Sequence, residues 1–136
     1  MVWDPLRRKN VPLTPEERVR QWFITVLKDR MQVPLHMMMS EVGMKFGEGA
    51  LKKEFRADIV VYDRRPGPMM IVECKRPDVE LTKDVLEQAL RYDMVLDVKY
   101  LALTNGNRTI FCERLEDGSI CFLKEAPTYL QMLGLE

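Results

Sequence analysis

The chain has 136 residues, with 21 Lys/Arg balanced by 21 Asp/Glu, a single His, and 46% hydrophobic content. That length gives one domain able to bury roughly two thirds of its unfolded surface without staples. The composition excludes disorder, a transmembrane helix and a uniformly basic nucleic-acid coat.

No apolar stretch follows the first charges, so the N-terminus does not read as a signal peptide. Cys74, Cys112 and Cys121 lack C-x-x-C spacing, which fits reduced thiols of a cytoplasmic protein and no zinc site. Charge is unevenly spread although the total is zero. Residues 45–76 hold eight basic and five acidic side chains, and residues 78–97 hold two basic and six acidic. One end of the molecule is therefore expected to present a positive field.

The expected domain spans 1–136, with 1–13 as a lead-in that contains Pro5 and Pro12. Thr14-Pro15-Glu16-Glu17 then reads as a helix start: an N-cap, a proline in the first turn, and Glu17 closing a capping box. Val19, Trp22, Phe23, Val26 and Leu27 form an apolar stripe at helical spacing, ending before Pro34. Residues 37–46 alternate as a strand. So do residues 54–63, where Phe55, Ala57, Ile59 and Val61 alternate with Arg56, Asp58, Val60 and Tyr62. A Pro- and Gly-containing turn at 64–68 leads to a strand over 69–75, "MMIVECK".

A helix follows over about 82–96, with Thr82 as N-cap and Val85, Leu86, Ala89 and Leu90 inward. "KYLALT" (99–104) is a continuous apolar run, as in a strand covered on both faces. "TIFCERL" and "SICFLKE" flank Asp117-Gly118 as a hairpin, and a short helix near 128–133 closes the chain. The expected fold is α/β: a mixed central sheet flanked by helices, with a crossover from the strand at 69–75 to that at 99–104.

The stretch "IVECKRP" (71–77) carries the chemistry. Glu73 and Lys75 share one face of a strand whose neighbours are apolar. Asp58 lies on the preceding strand, and a register with Asp58 opposite Glu73 or Lys75 brings the three together; opposite Cys74 it does not. Two converging carboxylates repel unless a cation lies between them. Few oxygen ligands completed by water suit Mg²⁺ or Mn²⁺ beside a substrate phosphate. Lys75 is then placed to orient or deprotonate a water.

"RADIVVYD" followed by "MMIVECKRPDV" resembles the D-x(n)-E-x-K core of the PD-(D/E)xK nuclease superfamily. The run from "LTPEERVRQWF" through "LEQALRYDMVLDVKYLALTNG" to "YL" is similar to the N-terminal nuclease domain of type I restriction enzyme R subunits, over roughly residues 12–130. The resemblance implies a restriction-endonuclease-like fold and Mg²⁺- or Mn²⁺-dependent cleavage of DNA. It implies Asp58 and Glu73 as metal ligands and Lys75 as the catalytic lysine, with Glu41 assisting the metal. It implies Gln88 and Tyr92 as a Q-x-x-x-Y pair on one helix face. The backbone carbonyl of Cys74 is a further metal ligand in this reading.

The proline that names the superfamily is replaced by Ala57. No G-x-x-x-x-G-K-[ST] loop is present, so translocation is not implied for these residues. The implied partners are DNA and other subunits of a restriction or repair system; a homodimer is also open. The alternative is a catalytically inactive nuclease-fold module for DNA binding or subunit assembly. Lys52, Lys53 and Arg56 are candidates for tracking phosphates. His36 reads as a loop residue, and Met37–Met39 with Met69 and Met70 as edge or core filler.

Overall fold

A computed structural model describes residues 1–136. The first residues are not a loose lead-in: β1 (Val2–Asp4) and β2 (Lys9–Val11) pair antiparallel. Asp4 is fully buried and its carboxylate accepts from the backbone N–H of Leu6 at 2.8 Å and of Arg7 at 3.2 Å. That satisfies a buried charge locally, which is what allows it to be buried at all. Arg7 also reaches out of this hairpin to Glu17 Oε1 at 2.6 Å, tying the hairpin to the body.

Helix α1 (Pro15–Thr25) starts where expected, with the Thr14 hydroxyl accepting from the Glu17 N–H at 3.1 Å. Only half of the capping box forms, because the Glu17 carboxylate is taken by Arg7 and by Gln21. The inward face differs from the expected stripe. Trp22 is 40% exposed, while Ile24 joins Val19, Phe23, Val26 and Leu27 inside. Glu17 and Arg20 are buried on that same face. A single turn of wider helix over Val26–Arg30 ends the segment.

Six strands form one sheet in the order β3 (Met38–Phe46), β4 (Lys53–Tyr62), β5 (Pro68–Cys74), β6 (Tyr100–Thr104), β7 (Thr109–Arg114), β8 (Ile120–Leu123). All neighbours are antiparallel except β5 and β6, which run parallel across helix α2 (Lys83–Leu96). Every residue of β6 is buried, as its unbroken apolar run requires. Helix α3 (Tyr129–Met132) closes the chain under a Thr128 capping box, and its Tyr129 hydroxyl donates to the Tyr62 carbonyl at 2.8 Å.

The sheet separates two cores. Under α1 lie Val19, Phe23, Leu27, Ile59, Val61, Met70, Val72 and Cys74. Under α2 lie Phe55, Ala57, Val60, Ile71, Ala89 and Leu101. Ala57 and Ile59 therefore belong to opposite cores, although simple alternation along β4 puts them together. The ladder explains it: Ser40 pairs with Ile59 and Val42 with Ala57, but no pair forms between Glu41 and Asp58. Glu41 has φ +53, a left-handed conformation that costs a non-glycine residue on the order of 1–2 kcal/mol. The sheet changes faces at this seam, and Asp58 sits in it.

No helix is long and apolar enough to cross a membrane, and all three cysteines are free.

Candidate active site

The β4–β5 ladder pairs Val61 with Met70, Val60 with Ile71, and Ile59 with Val72. One step further, beyond the last ladder pair, Asp58 meets the Glu73–Cys74 end of β5. Its carboxylate accepts from the Cys74 backbone N–H at 2.7 Å and lies 3.2 Å from the Arg20 guanidinium. Burial pushes the Asp58 carboxyl above the usual aspartate range, against the opposing pull of that N–H and of Arg20.

Glu73 is the most perturbed acid of the site. It is half-buried, with Oε1 sealed from solvent and without a hydrogen-bond partner. Burial first and the neighbouring Asp58 charge second raise its carboxyl to about 8, although Lys75 pulls the other way. An unsatisfied buried oxygen costs on the order of 1–3 kcal/mol. A site that keeps such an oxygen is one of the places where function is sought.

Glu73 and Lys75 line one cavity of about 260 Å³ together with Phe55, Val85, Gln88, Ala89 and Tyr92. The structure thus brings Gln88 and Tyr92 from α2 onto the same hollow as the strand pair. The Tyr92 ring is stacked on Phe55, with centroids 4.3 Å apart and planes 17° from parallel, and meets Phe46 edge-on at 6.2 Å. Tyr92 is therefore part of the wall as well as of the site. Larger hollows exist elsewhere, including one of 630 Å³ near Asp97 and Arg114. Those two side chains already pair with each other at 2.8 Å there.

Glu41 and Cys74 are placed differently from the simple expectation. Glu41 comes to the edge of the site, but its carboxylate is held by Arg20 at 3.2 Å and Arg7 at 3.4 Å. Burial alone would raise its carboxyl; the hydrogen bond and charge of Arg20, with the charge of Arg7, hold it below the usual range. The Cys74 side chain turns into the α1 core, and burial pushes its thiol far up, so only its backbone faces the acids. No three His, Cys, Asp or Glu side chains converge closely enough to hold a metal ion. The donor set that remains is two carboxylates, Asp58 and Glu73, with the Cys74 backbone. The orphaned Glu73 Oε1 and the mutual repulsion of the two acids fit a hard divalent cation.

Arg20, for which sequence reasoning found no role, is 5% exposed and lies among Asp58, Glu41 and Glu17. Its signal was present: Arg20 stands three residues after Glu17 and three and four before Phe23 and Ile24, all on the buried helix face.

A family model described as "Type I restriction enzyme R protein N terminus (HSDR_N)" matches residues 15–127. The chain belongs to this family. Within it, the hairpin that carries Arg7 lies before the matched region. Two solved structures are similar to this HSDR_N chain. One is a fragment assigned to an HsdR subunit of a type I restriction enzyme from Vibrio vulnificus YJ016, 19% identical with TM-score 0.66. It aligns with 93% of this chain, and the chain spans 26% of that one. The other is assigned as a nuclease belonging to DUF820 from Anabaena variabilis ATCC 29413, 14% identical with TM-score 0.50, covering 87% of this chain and 72% of that one. At these identities the likeness speaks for the fold, which is nuclease-like. No curated protein matches.

Proposed function

We propose that this HSDR_N domain is a metal-dependent deoxyribonuclease that hydrolyses phosphodiester bonds of DNA. One observation carries the reading: Glu73 keeps a sealed, unpartnered oxygen beside Asp58, at a cavity it shares with Lys75. Asp58, Glu73 and the Cys74 carbonyl would hold Mg²⁺ or Mn²⁺. Such an ion, when bound, supplies Lewis-acid polarisation of the phosphoryl oxygen and a more acidic water.

The chain's own residues do the rest. Asp58 is fixed by the Cys74 N–H, so one carboxylate oxygen keeps its orientation through the reaction. Glu73 must give up its proton to the solvent before it serves as a ligand. Lys75 lines the same cavity, where its ammonium can orient the attacking water or offset charge on the phosphorus. Gln88 and Tyr92 offer an amide and a phenol to the strand. The partners of this reading are DNA and the other subunits of a type I restriction system.

The test is cleavage of plasmid and linear DNA in Mg²⁺ and in Mn²⁺ by wild type and Lys75→Ala. Cleavage by wild type alone supports the assignment; equal cleavage by both removes Lys75 from it. A second reading, a metal-independent module for DNA binding or subunit assembly, is favoured by one observation. Arg20 pairs with both Asp58 and Glu41 and offsets their charge. Under that reading Mn²⁺ does not change the melting temperature, whereas a bound metal raises it.

A further inference from the structure

The cavity of Glu73 and Lys75 shares part of its wall with a second one. Gln88 and Tyr92 line both, and the second, about 340 Å³, adds Phe46, Lys53, Arg91 and Val95. Its two cations come from different elements, Lys53 from the start of β4 and Arg91 from α2. Neither makes an ion pair; nor does Lys75. No acid lines this second hollow, and Glu87, one turn before Arg91, is engaged by Lys83 at 3.8 Å.

The sheet seam explains why Lys53 is there. Beyond it, Phe55 and Ala57 face α2, and Lys53 shares their parity, whereas Arg56 points to the other side. Of the three basic residues the sequence offers for phosphate contact, Lys53 alone lines this path. Phe46 and Val95 give the hollow an apolar wall suited to a sugar or base edge, and its two cations suit a phosphate.

We propose that Lys53 and Arg91 form a phosphate-binding subsite for a DNA strand, holding the backbone beyond the position where Glu73 and Lys75 act. The proposal rests on the nuclease reading for its substrate, but not on metal binding. Two unpaired cations from two elements lining one groove attract a polyanion, and the shared Gln88 and Tyr92 set that groove beside the cavity of Glu73 and Lys75. Contacts of this kind position the strand and carry no sequence information.

The test is fluorescence anisotropy of a labelled duplex oligonucleotide in Ca²⁺ across a salt series. It compares wild type, Lys53→Gln/Arg91→Gln, and Arg64→Gln/Arg65→Gln. The last pair removes two exposed, equally unpaired cations from the turn at the opposite end of β4. Loss of two phosphate contacts lowers the salt slope of log K by about 2 and weakens binding roughly tenfold or more, with the control near wild type. Equal weakening by both double variants means diffuse attraction and overturns the subsite. In that case metal-dependent cleavage by the Lys53→Gln/Arg91→Gln variant at wild-type rate leaves the nuclease reading standing. Absence of any DNA binding by wild type overturns the subsite too, and Mn²⁺-induced stabilisation lost in Asp58→Ala then judges the metal site separately.

Discussion

Replacing Arg20 by Met tests how the site holds together without metal. Arg20 lies 3.2 Å from both Asp58 and Glu41 and 3.6 Å from Glu17. Its side chain is 6% exposed, and those of Asp58, Glu41 and Glu17 are 15%, 38% and 8% exposed. Met keeps most of the volume but removes the charge, leaving Arg7 to pair with Asp4, Glu17 and Glu41 and leaving Asp58 without an ion-pair partner. Breaking a buried pair by removing one partner costs about 3–5 kcal/mol. The Glu41 arm is too exposed to add much.

With an unfolding entropy of about 2.1 cal/mol/K per residue, that loss lowers Tm by roughly 10–17 °C. The pH dependence follows from both partners: Arg20 pulls the Asp58 and Glu41 carboxyls down, so the stability it contributes is present where they are ionised and is lost as pH falls and they take up protons. The gap between wild type and variant therefore shrinks in acid. Urea denaturation at about pH 7 and about pH 3.5 measures both. A gap below about 1 kcal/mol at neutral pH, or one unchanged in acid, refutes the view that Arg20 is the cation holding these carboxylates.

Glu73 makes the opposite pH prediction: because its folded carboxyl titrates at about 8 against an ordinary 4.5, stability falls as pH rises between those values and levels off above. Urea denaturation of Glu73→Gln should lack that slope and exceed wild type by roughly 2–4 kcal/mol above pH 8. Mn²⁺ must expel the same proton, so calorimetry in two buffers should show proton release, with affinity rising up to about tenfold per pH unit below 8. Tyr92→Phe should keep the stack on Phe55 and wild-type stability, whereas Tyr92→Ala should lose about 2–3 kcal/mol by thermal melting. If Tyr92→Phe nonetheless slows DNA cleavage, the phenol acts on the strand. Thr82→Ala removes the hydroxyl that accepts from the Val85 N–H and should cost about 1 kcal/mol in the same assay.

Much of the fold was legible because local signals and burial agree in it. Thr14, Thr82 and Thr128 all cap the helices that follow them, and "YLALT" is buried throughout. What was not legible depends on tertiary pairing. The 1–13 segment has too short a pattern to read as strands, and its order comes from Asp4 and Arg7. Trp22 looked inward by spacing, but the helix is rotated so that Glu17 and Arg20 take that space. Charged residues at buried positions defeat a reading based on apolar periodicity, since their burial depends on partners outside the helix, here Arg7, Glu41 and Asp58.

The candidate site was legible for a different reason. Asp58, Glu73 and Lys75 interrupt apolar strands, and polar residues in such places are costly enough to need an explanation. Alternation nevertheless gave the wrong account of the residues flanking Asp58, putting Ala57 and Ile59 on one face, because it assumes one unbroken pleat. The Glu41 kink moves β3 and β4 from the α1 core to the α2 core within two residues. Without that change, Ala57 and Lys53 would lie on the α1 side, away from Tyr92 and Arg91. The strained residue thus does two things at once: it leaves Asp58 outside the ladder, free to face Arg20 and the Cys74 N–H, and it turns the far half of β4 toward the groove. Relaxing Glu41 to an ordinary strand conformation would restore the pleat and separate the carboxylates from the cations that line their approach.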